Sequence, residues 1–573
     1  MTTCLFVGIK KTTTRIEGAR ENRLLGQRNL YHQSRAEEQL EAPFLHGVAS
    51  GDPSEDGISI WTRVTPIDEK QQPLNQTLLT VSWQMSTDMD FDNLVAQGSA
   101  NTNADRDYTV QVDISDLQPY SYYYYKFRFC FPISERCVNS IVGRTKTAPS
   151  KDSDTQQLRF ATVSCARYTE GYFHAYDRIT DRNDVDAILH LGDYIYEDNG
   201  KNLVAARQHD PPYDPVTLDD YRRRYSQYRL DPALRRLHQL YPFITTWDDH
   251  DFANNAYRDG AKNHRPDIQG NWTERRQAAA QVYREWIPFR TQEEVNSEDN
   301  MDDNDNTSST YNLYRRVAYG NLVDLFVLDT RIAARDKQKG SVAPIFLPDY
   351  YDKDQYMLGD TQMEWLKQQL VASTAQWKVV VQSVLVAPLT LAGTLALNMD
   401  AWDGYHADRA ELLKSIADNQ IDNVVFLSGD LHATVITDIP KETTVDVTSW
   451  TDWCFQKAFY LVDESKSYKS IAIEFLVTSV SAVSRATSLV DWLPNFLLPL
   501  GEWLLNGVAK TASGIWWSIP HFQFIDLQNL GYQIVDFQSH RVQMDVYFTG
   551  SVIEEIDKHP TQAEQYQISF FEL

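Results

Sequence analysis

The chain has 573 residues, with 54 Lys and Arg against 79 Asp and Glu, a formal charge of −25. Hydrophobic residues are 42% and aromatic residues 12% of the total, which excludes general disorder and suits roughly two to four domains. The acidity argues against a nucleic-acid partner or an anionic membrane surface. It leaves a phosphorylated substrate open, because bound cations reverse the local sign of a site.

Residues 1–42 are polar, without a sustained period, and are expected to form a loose arm. Their longest apolar run, Cys4 to Ile9, is shorter than the ~7–15 residues of a secretory core. Residues 43–147 read as an all-β sandwich of the immunoglobulin or fibronectin III kind. Ile58–Val64 and Leu79–Trp83 alternate, while Tyr123, Tyr125, Phe127 and Phe129 share one face opposite Lys126 and Arg128. Leu117-Gln-Pro119 ahead of Tyr123 resembles a tyrosine corner. Of the five cysteines, Cys130 and Cys137 flank a turn-like Phe-Pro-Ile-Ser-Glu-Arg. A disulfide there implies an oxidising compartment, and two half-buried thiols are the alternative.

After a linker at Thr145–Asp154, residues 155–560 read as an α/β layered domain. Expected strands are Arg159–Ser164, Ala187–Leu191, Phe243–Trp247, Val323–Leu328, Trp377–Leu385 and Val424–Leu427. Expected helices are Tyr172–Thr180, Tyr221–Leu240 interrupted near Pro232, Thr273–Trp286 and Asp360–Ser373. Such alternation places a ligand site at the carboxyl ends of the strands. Two insertions interrupt it. Glu293–Asp305 carries seven acids and reads as a solvated loop, or as a calcium loop lacking the EF-hand glycine. Residues 484–518 are apolar and Trp-rich, a core extension or a lid or interface element. Leu489–Val508, the strongest membrane-span candidate, carries Asp491, Pro494, Pro499 and Glu502, so no integral membrane segment is expected.

Chemistry-bearing residues gather just after the strands: Ser164-Cys165-Ala-Arg167, Gly192-Asp-Tyr-Ile-Tyr-Glu197, Trp247-Asp-Asp-His-Asp251 with Asn254, and Ser428-Gly-Asp-Leu-His432. One Gly-Asp marks a turn; four such clusters at strand ends point to a metal site. Two adjacent cations need a bridging carboxylate, and Asp193 is placed for it. Tyr196 can return a phenolate to the same ion, a ligand for a hard trivalent metal. Asp249 and Asp430 are oxygen ligands favouring Ca²⁺, Mg²⁺ or Mn²⁺, and His432 can serve the neighbouring ion. His250 is placed to bond a phosphoryl group or to protonate a leaving oxygen.

Together these motifs resemble the PhoD-like alkaline phosphatase/phosphodiesterase family, a branch of the calcineurin-like metallophosphoesterases. The similarity extends to His46-Gly-Val-Ala-Ser-Gly-Asp52, Ile60-Trp-Thr-Arg63, Leu328-Asp-Thr-Arg331, Leu358-Gly-Asp360, Trp377–Gln382 and Gly531–Asp536, covering about residues 43–550. The resemblance implies a four-layer catalytic domain and hydrolysis of small phosphate esters with Fe³⁺ and Ca²⁺, usually outside the cytoplasm. It implies Cys165, Asp193, Tyr196 and His432 as iron ligands, and Asp249 and Asp430 as calcium ligands. Asp248 and Asn254 are weaker calcium contacts. Arg167 is a phosphate contact or a structural salt bridge, and Cys165 as an inert buried thiol is the alternative to its ligand role. Asp251 stands where the family commonly has glutamate, and the 484–518 insertion is not a family feature. No twin-arginine signal is visible, so either the start of the chain is incomplete or export takes another route. The expected activity is that of a monomeric alkaline phosphatase. Alternatives are a phosphodiesterase, including phospholipase D-like action, on the same centre, and a non-catalytic surface module. Nucleic acid enters only as a possible substrate.

Overall fold

The computed structural model describes residues 8–11, 42–67, 72–73, 78–132, 134–198, 206–290, 313–340, 343–344, 352, 354–391, 395–440, 470–483, 521–553 and 564–571. Short, nearly continuous apolar runs, buried on both faces, form the strands that matter for function. They are β1 Gln157–Val163, β2 Ala187–Leu191, β3 Pro242–Thr246, β4 Val323–Val327, β5 Trp377–Val381, β6 Val424–Ser428 and β7 Ser470–Leu476. They divide between two sheets. β1, β2 and β3 are parallel neighbours in a ten-stranded sheet. β4 to β7 are parallel neighbours in a seven-stranded sheet.

Among the described residues, the helices longer than one turn are α1 His174–Thr180, α2 Leu218–Arg229, α3 Pro232–Leu240, α4 Trp272–Trp286, α5 Gly359–Ala372 and α6 His406–Asp418. The break expected near Pro232 is real: Asp231 caps α3 by accepting from the N–H groups of Ala233 and Leu234, and Pro232 takes the first helical position. Alternate residues of each strand feed opposite cores. Leu158, Phe160, Leu189 and Ile244 of the first sheet meet Leu325, Val379, Leu427 and Phe475 of the second. On the outer face of the first sheet, Val163, Ile188 and Phe243 join Tyr176, Tyr225, Leu237 and Ala279 of α1 to α4. On that of the second, Phe326, Val380 and Phe426 join Leu366, Leu370, Leu412 and Ile416 of α5 and α6.

The N-terminal strands also form two layers around one core, with Val48, Ile60 and Val110 against Val81, Tyr125, Phe127 and Phe129. One layer is the five-stranded sheet holding Leu79–Ser86, Leu94–Thr102, Tyr122–Cys130, Cys137–Asn139 and Gly143–Lys146. The other is no separate sheet. Val48–Gly51, Ile58–Arg63 and Thr109–Ile114 are the end of the ten-stranded sheet, where Ser50 and Gly51 pair in parallel with Pro242 and Phe243 of β3. Alternation tells which face a residue takes, not which strand lies beside it. Asp52 follows at once and receives Arg315 through two bonds of 2.7 Å.

The hydroxyl of Tyr123 accepts the Gln118 N–H at 2.7 Å, as the tyrosine-corner pattern predicts. Cys130 and Cys137 are disulfide-bonded. Within the stretch expected to be a loose arm, Gly8–Lys11 pairs antiparallel with Glu564–Phe571 at the edge of the large sheet. The acidic 293–305 segment and the 484–518 insertion lie outside the described residues. Among the described residues, no helix is long and apolar enough to cross a membrane.

Candidate metal centre

The strand ends of both sheets converge on one place, and the backbone there is unusual. Cys165 follows β1 at φ 57°, Asp193 follows β2 at 54°, and Asp430 and His432 follow β6 at 65° and 53°. Each left-handed non-glycine residue costs on the order of 1–3 kcal/mol, so the surroundings must over-determine it. They do. The Asp251 carboxylate accepts four backbone N–H groups, from Asp193, Tyr194, Ile195 and Asp248, at 2.9–3.2 Å. Arg224, fully buried, spends its guanidinium on backbone carbonyls, among them Tyr196 and Glu197 at 3.0 Å for the latter. The loop after β7 docks on the Cys165 turn, with the Val480 N–H on Ser164 O at 2.9 Å and Ser481 Oγ on Arg167 O at 2.9 Å. Ala482 packs against Cys165 and Tyr196.

Two donor groups result. In the first, Cys165 Sγ, an Asp193 oxygen and a His432 nitrogen lie within 4.8 Å of one another. Tyr196 Oη joins them, donating to Asp193 Oδ2 at 2.8 Å and lying 2.9 Å from His432 Nε2. In the second, Asp248, Asp249 and Asp430 offer carboxylate oxygens within the same spacing. Asp193 also groups with Asp249 and His250, so it stands between the two.

The electrostatics ask for cations. Burial, then the negative charge of Asp193, pushes the Cys165 thiol and the Tyr196 phenol well above their ordinary values. Burial drives His432 down to about 3. Asp193 and Asp430 are pushed far above the carboxylate range by burial and by neighbouring aspartates. Asp248 is raised to about 6, again by burial first. Asp249 is held at about 2 against its burial by Arg331 and His250. Asp248 Oδ2 is buried with no hydrogen-bond partner among the described residues. A thiol, a phenol and crowded carboxylates that resist ionising, beside a neutral imidazole, fit a pair of metal ions, which would favour the deprotonated donors.

Residues 160–546 match the model of the PhoD-like phosphatase family, and residues 31–149 match that of the PhoD-like phosphatase N-terminal domain. The chain belongs to the PhoD-like phosphatase family. It is 34% identical over 398 residues to alkaline phosphatase D of Bacillus subtilis (strain 168), a match covering 68% of this chain and 64% of that protein. The chain therefore spans somewhat less than two thirds of the curated relative's length in this match. A solved structure described as that of PhoD superposes with a TM-score of 0.71 at 30% identity, covering 90% of this chain and 88% of the other.

In this member of the family, Cys165, Asp193, Tyr196, His432, Asp249, Asp430 and His250 come together. Of the other three site candidates, Asp248 stands with Asp249 and Asp430, while Asn254 and Arg167 belong to neither donor group. Asp248 Oδ1 is taken by Arg331 Nε. Asn254 meets the site through its backbone N–H on Glu197 Oε1 at 2.7 Å, while its Nδ2 donates to Asn255. Arg167 pairs with Asp198, lies 3.5 Å from Glu170 and covers the Tyr196 ring at 4.7 Å, so its contacts are those of a salt bridge. Sequence reasoning missed Glu197, whose Oε2 is 2.6 Å from His250 Nδ1, and Arg331, which reaches Asp248, Asp400 and Asp430. Both stand inside motifs quoted above, but nothing in their spacing announces a role.

Proposed function

We propose that this protein hydrolyses phosphate esters at a centre built on Asp193, with Fe³⁺ on the Cys165, Asp193, Tyr196 and His432 side and Ca²⁺ on the Asp249 and Asp430 side. The observation that carries this reading is that Asp193 groups with Cys165 and His432 on one side and with Asp249 and His250 on the other, and Asp249 in turn groups with Asp248 and Asp430. Sulfur, phenolate and nitrogen suit iron, and carboxylate oxygens suit calcium. When bound, such a pair supplies Lewis-acid polarisation of a phosphoryl oxygen and an activated water. The chain's own residues do the rest. Glu197 fixes the His250 ring through Nδ1 and leaves Nε2 for substrate. Burial alone would keep that imidazole neutral, but Glu197, Asp249 and Asp193 outweigh it and hold its pKa well above the ordinary value. A charged imidazole beside the site hands its proton to the departing oxygen.

The two back-to-back sheets between helices suit the four-layer metallophosphoesterase arrangement, and the N-terminal layers, with their tyrosine corner, suit an immunoglobulin or fibronectin III-like sandwich. The Cys130–Cys137 bond favours an extracytoplasmic, secreted protein, and the family reading adds a monomer acting on small monoesters. Comparing p-nitrophenyl phosphate with bis(p-nitrophenyl) phosphate decides between this reading and a phosphodiesterase on the same centre. Elemental analysis tests the metals: purified active protein free of iron and calcium would sink the assignment. Tyr196→Phe is expected to abolish a visible phenolate-to-iron absorption band, and a band that survives the change removes Tyr196 from the iron.

Glu197→Gln should separate proton delivery from the rest. Turnover of an alkyl phosphate, whose leaving oxygen needs the proton, is expected to fall about 10–100-fold. Turnover of p-nitrophenyl phosphate should change much less. An equal loss on both esters would show that Glu197 does not act through His250.

A further inference from the structure

Arg331 is a fully buried cation inside a nest of acids suited to a different cation. Its Nε donates to Asp248 Oδ1, its Nη1 to Asp400 Oδ2 at 2.7 Å, and its Nη2 to Asp430 Oδ1 at 3.2 Å, with Asp249 Oδ1 at 3.8 Å. A planar fork can hold three carboxylates at once in a way that a lysine cannot. Its backbone and one of its partners are fixed as well. Asp329 ties down the turn after β4 by accepting the N–H groups of Arg331, Ile332 and Ala333 at 2.8, 2.8 and 3.0 Å. Asp400 is itself gripped by Arg335, whose Nη2 donates to its Oδ1 at 2.6 Å and to its carbonyl at 2.7 Å. Two of the carboxylates that Arg331 approaches, Asp249 and Asp430, are the proposed calcium ligands.

We propose that Arg331 is a tethered counter-ion to the calcium side of the centre: it holds Asp248, Asp249 and Asp430 in place when no ion is bound, and it opposes the ion's arrival. The inference rests on the reading of Asp249 and Asp430 as calcium ligands. Without an internal cation, four buried carboxylates around one point would repel one another, and the unloaded site would open. With it, the site stays assembled, and calcium must bind against a fixed positive charge facing the same oxygens. Calcium affinity is thereby set low, and the hydrolase works where calcium is plentiful. Arg331 acts here as a positioning residue, and it holds Asp248 through Oδ1 alone.

The test uses the full chain after EGTA treatment, with calcium affinity measured by calorimetric titration and melting temperature followed with and without calcium. Arg331→Met removes the cation. Arg331→Met combined with Asp248→Asn removes one charge of each sign and is the milder change. Both are expected to melt earlier than the parent in EGTA, to recover in millimolar calcium, and to bind calcium about tenfold tighter or more. Tighter binding in a less stable protein is the sign that a merely structural arginine would not produce, since loosening a site weakens its ligand. Unchanged or weaker calcium binding in either folded variant overturns the proposal, as does failure of both to fold in millimolar calcium. A parent protein that gives no calcium isotherm at all defeats the calcium reading itself, before any variant is compared.

Discussion

Asp193→Asn is expected to lower ester hydrolysis by on the order of a thousandfold or more while leaving the fold intact. The substitution is isosteric, and the hydrogen bonds around it tolerate it. Asp193 Oδ1 accepts the His250 N–H at 3.2 Å, a bond an amide oxygen keeps. Asp193 Oδ2 receives the Tyr196 hydroxyl, which can turn its proton to His432 Nε2, 2.9 Å away, when an amide replaces the carboxylate. What is lost is a charge shared by two donor groups, so iron and calcium contents should fall together. Circular dichroism and thermal melting check the fold, and elemental analysis and kcat/KM check the site. Near-normal turnover would refute the bridging role.

Gly192→Ala is expected to do its damage through the fold instead. Gly192 has φ +99°, and a Cβ there would lie 2.4 Å from Asp248 Cβ and 2.8 Å from Asp248 N. Neither obstacle is the far end of a flexible side chain. The left-handed backbone costs an alanine about 1–2 kcal/mol, and overpacking a dense site typically adds 1–3 kcal/mol. A destabilisation of about 2–5 kcal/mol follows, together with displacement of Asp248 and Asp249 from β2. Denaturant titration gives the size. A loss below 1 kcal/mol with full metal content would mean that the two strand ends can part without consequence for the centre.

Much of this was legible in the sequence because it is local. Period-two alternation in Tyr122–Cys130 names the buried face, Pro232 breaks a helix wherever it falls, and Gly-Asp at the end of an apolar run marks a strand entering a site. The fate of Tyr123 follows from a hydroxyl reaching back five residues. Pairing across the chain left no such mark. β1 to β3 and β4 to β7 have the same apolar character, so nothing local tells that they belong to different sheets. Arg331 is the sharper case. Its partners Asp248 and Asp430 are 83 and 99 residues away and come from both sheets. Charge counting along a segment cannot see a cation that balances acids from elsewhere, and the same blindness hid Glu197 behind His250, 53 residues on.

The parallel pairing of Val48–Gly51 with β3 has a consequence for how the molecule is made. Ser50 leaves the ribosome long before its partner Pro242, so the first layer of the N-terminal unit stays an open strand edge while some 190 residues are added. Until β3 arrives, that edge is a template for any passing strand; afterwards, it guards the flank of β3 in the ten-stranded sheet. A chain begun at residue 155 would inherit the reverse problem. It would expose the edge of β3 and leave Arg315 buried without Asp52, and aggregation during refolding is its expected fate.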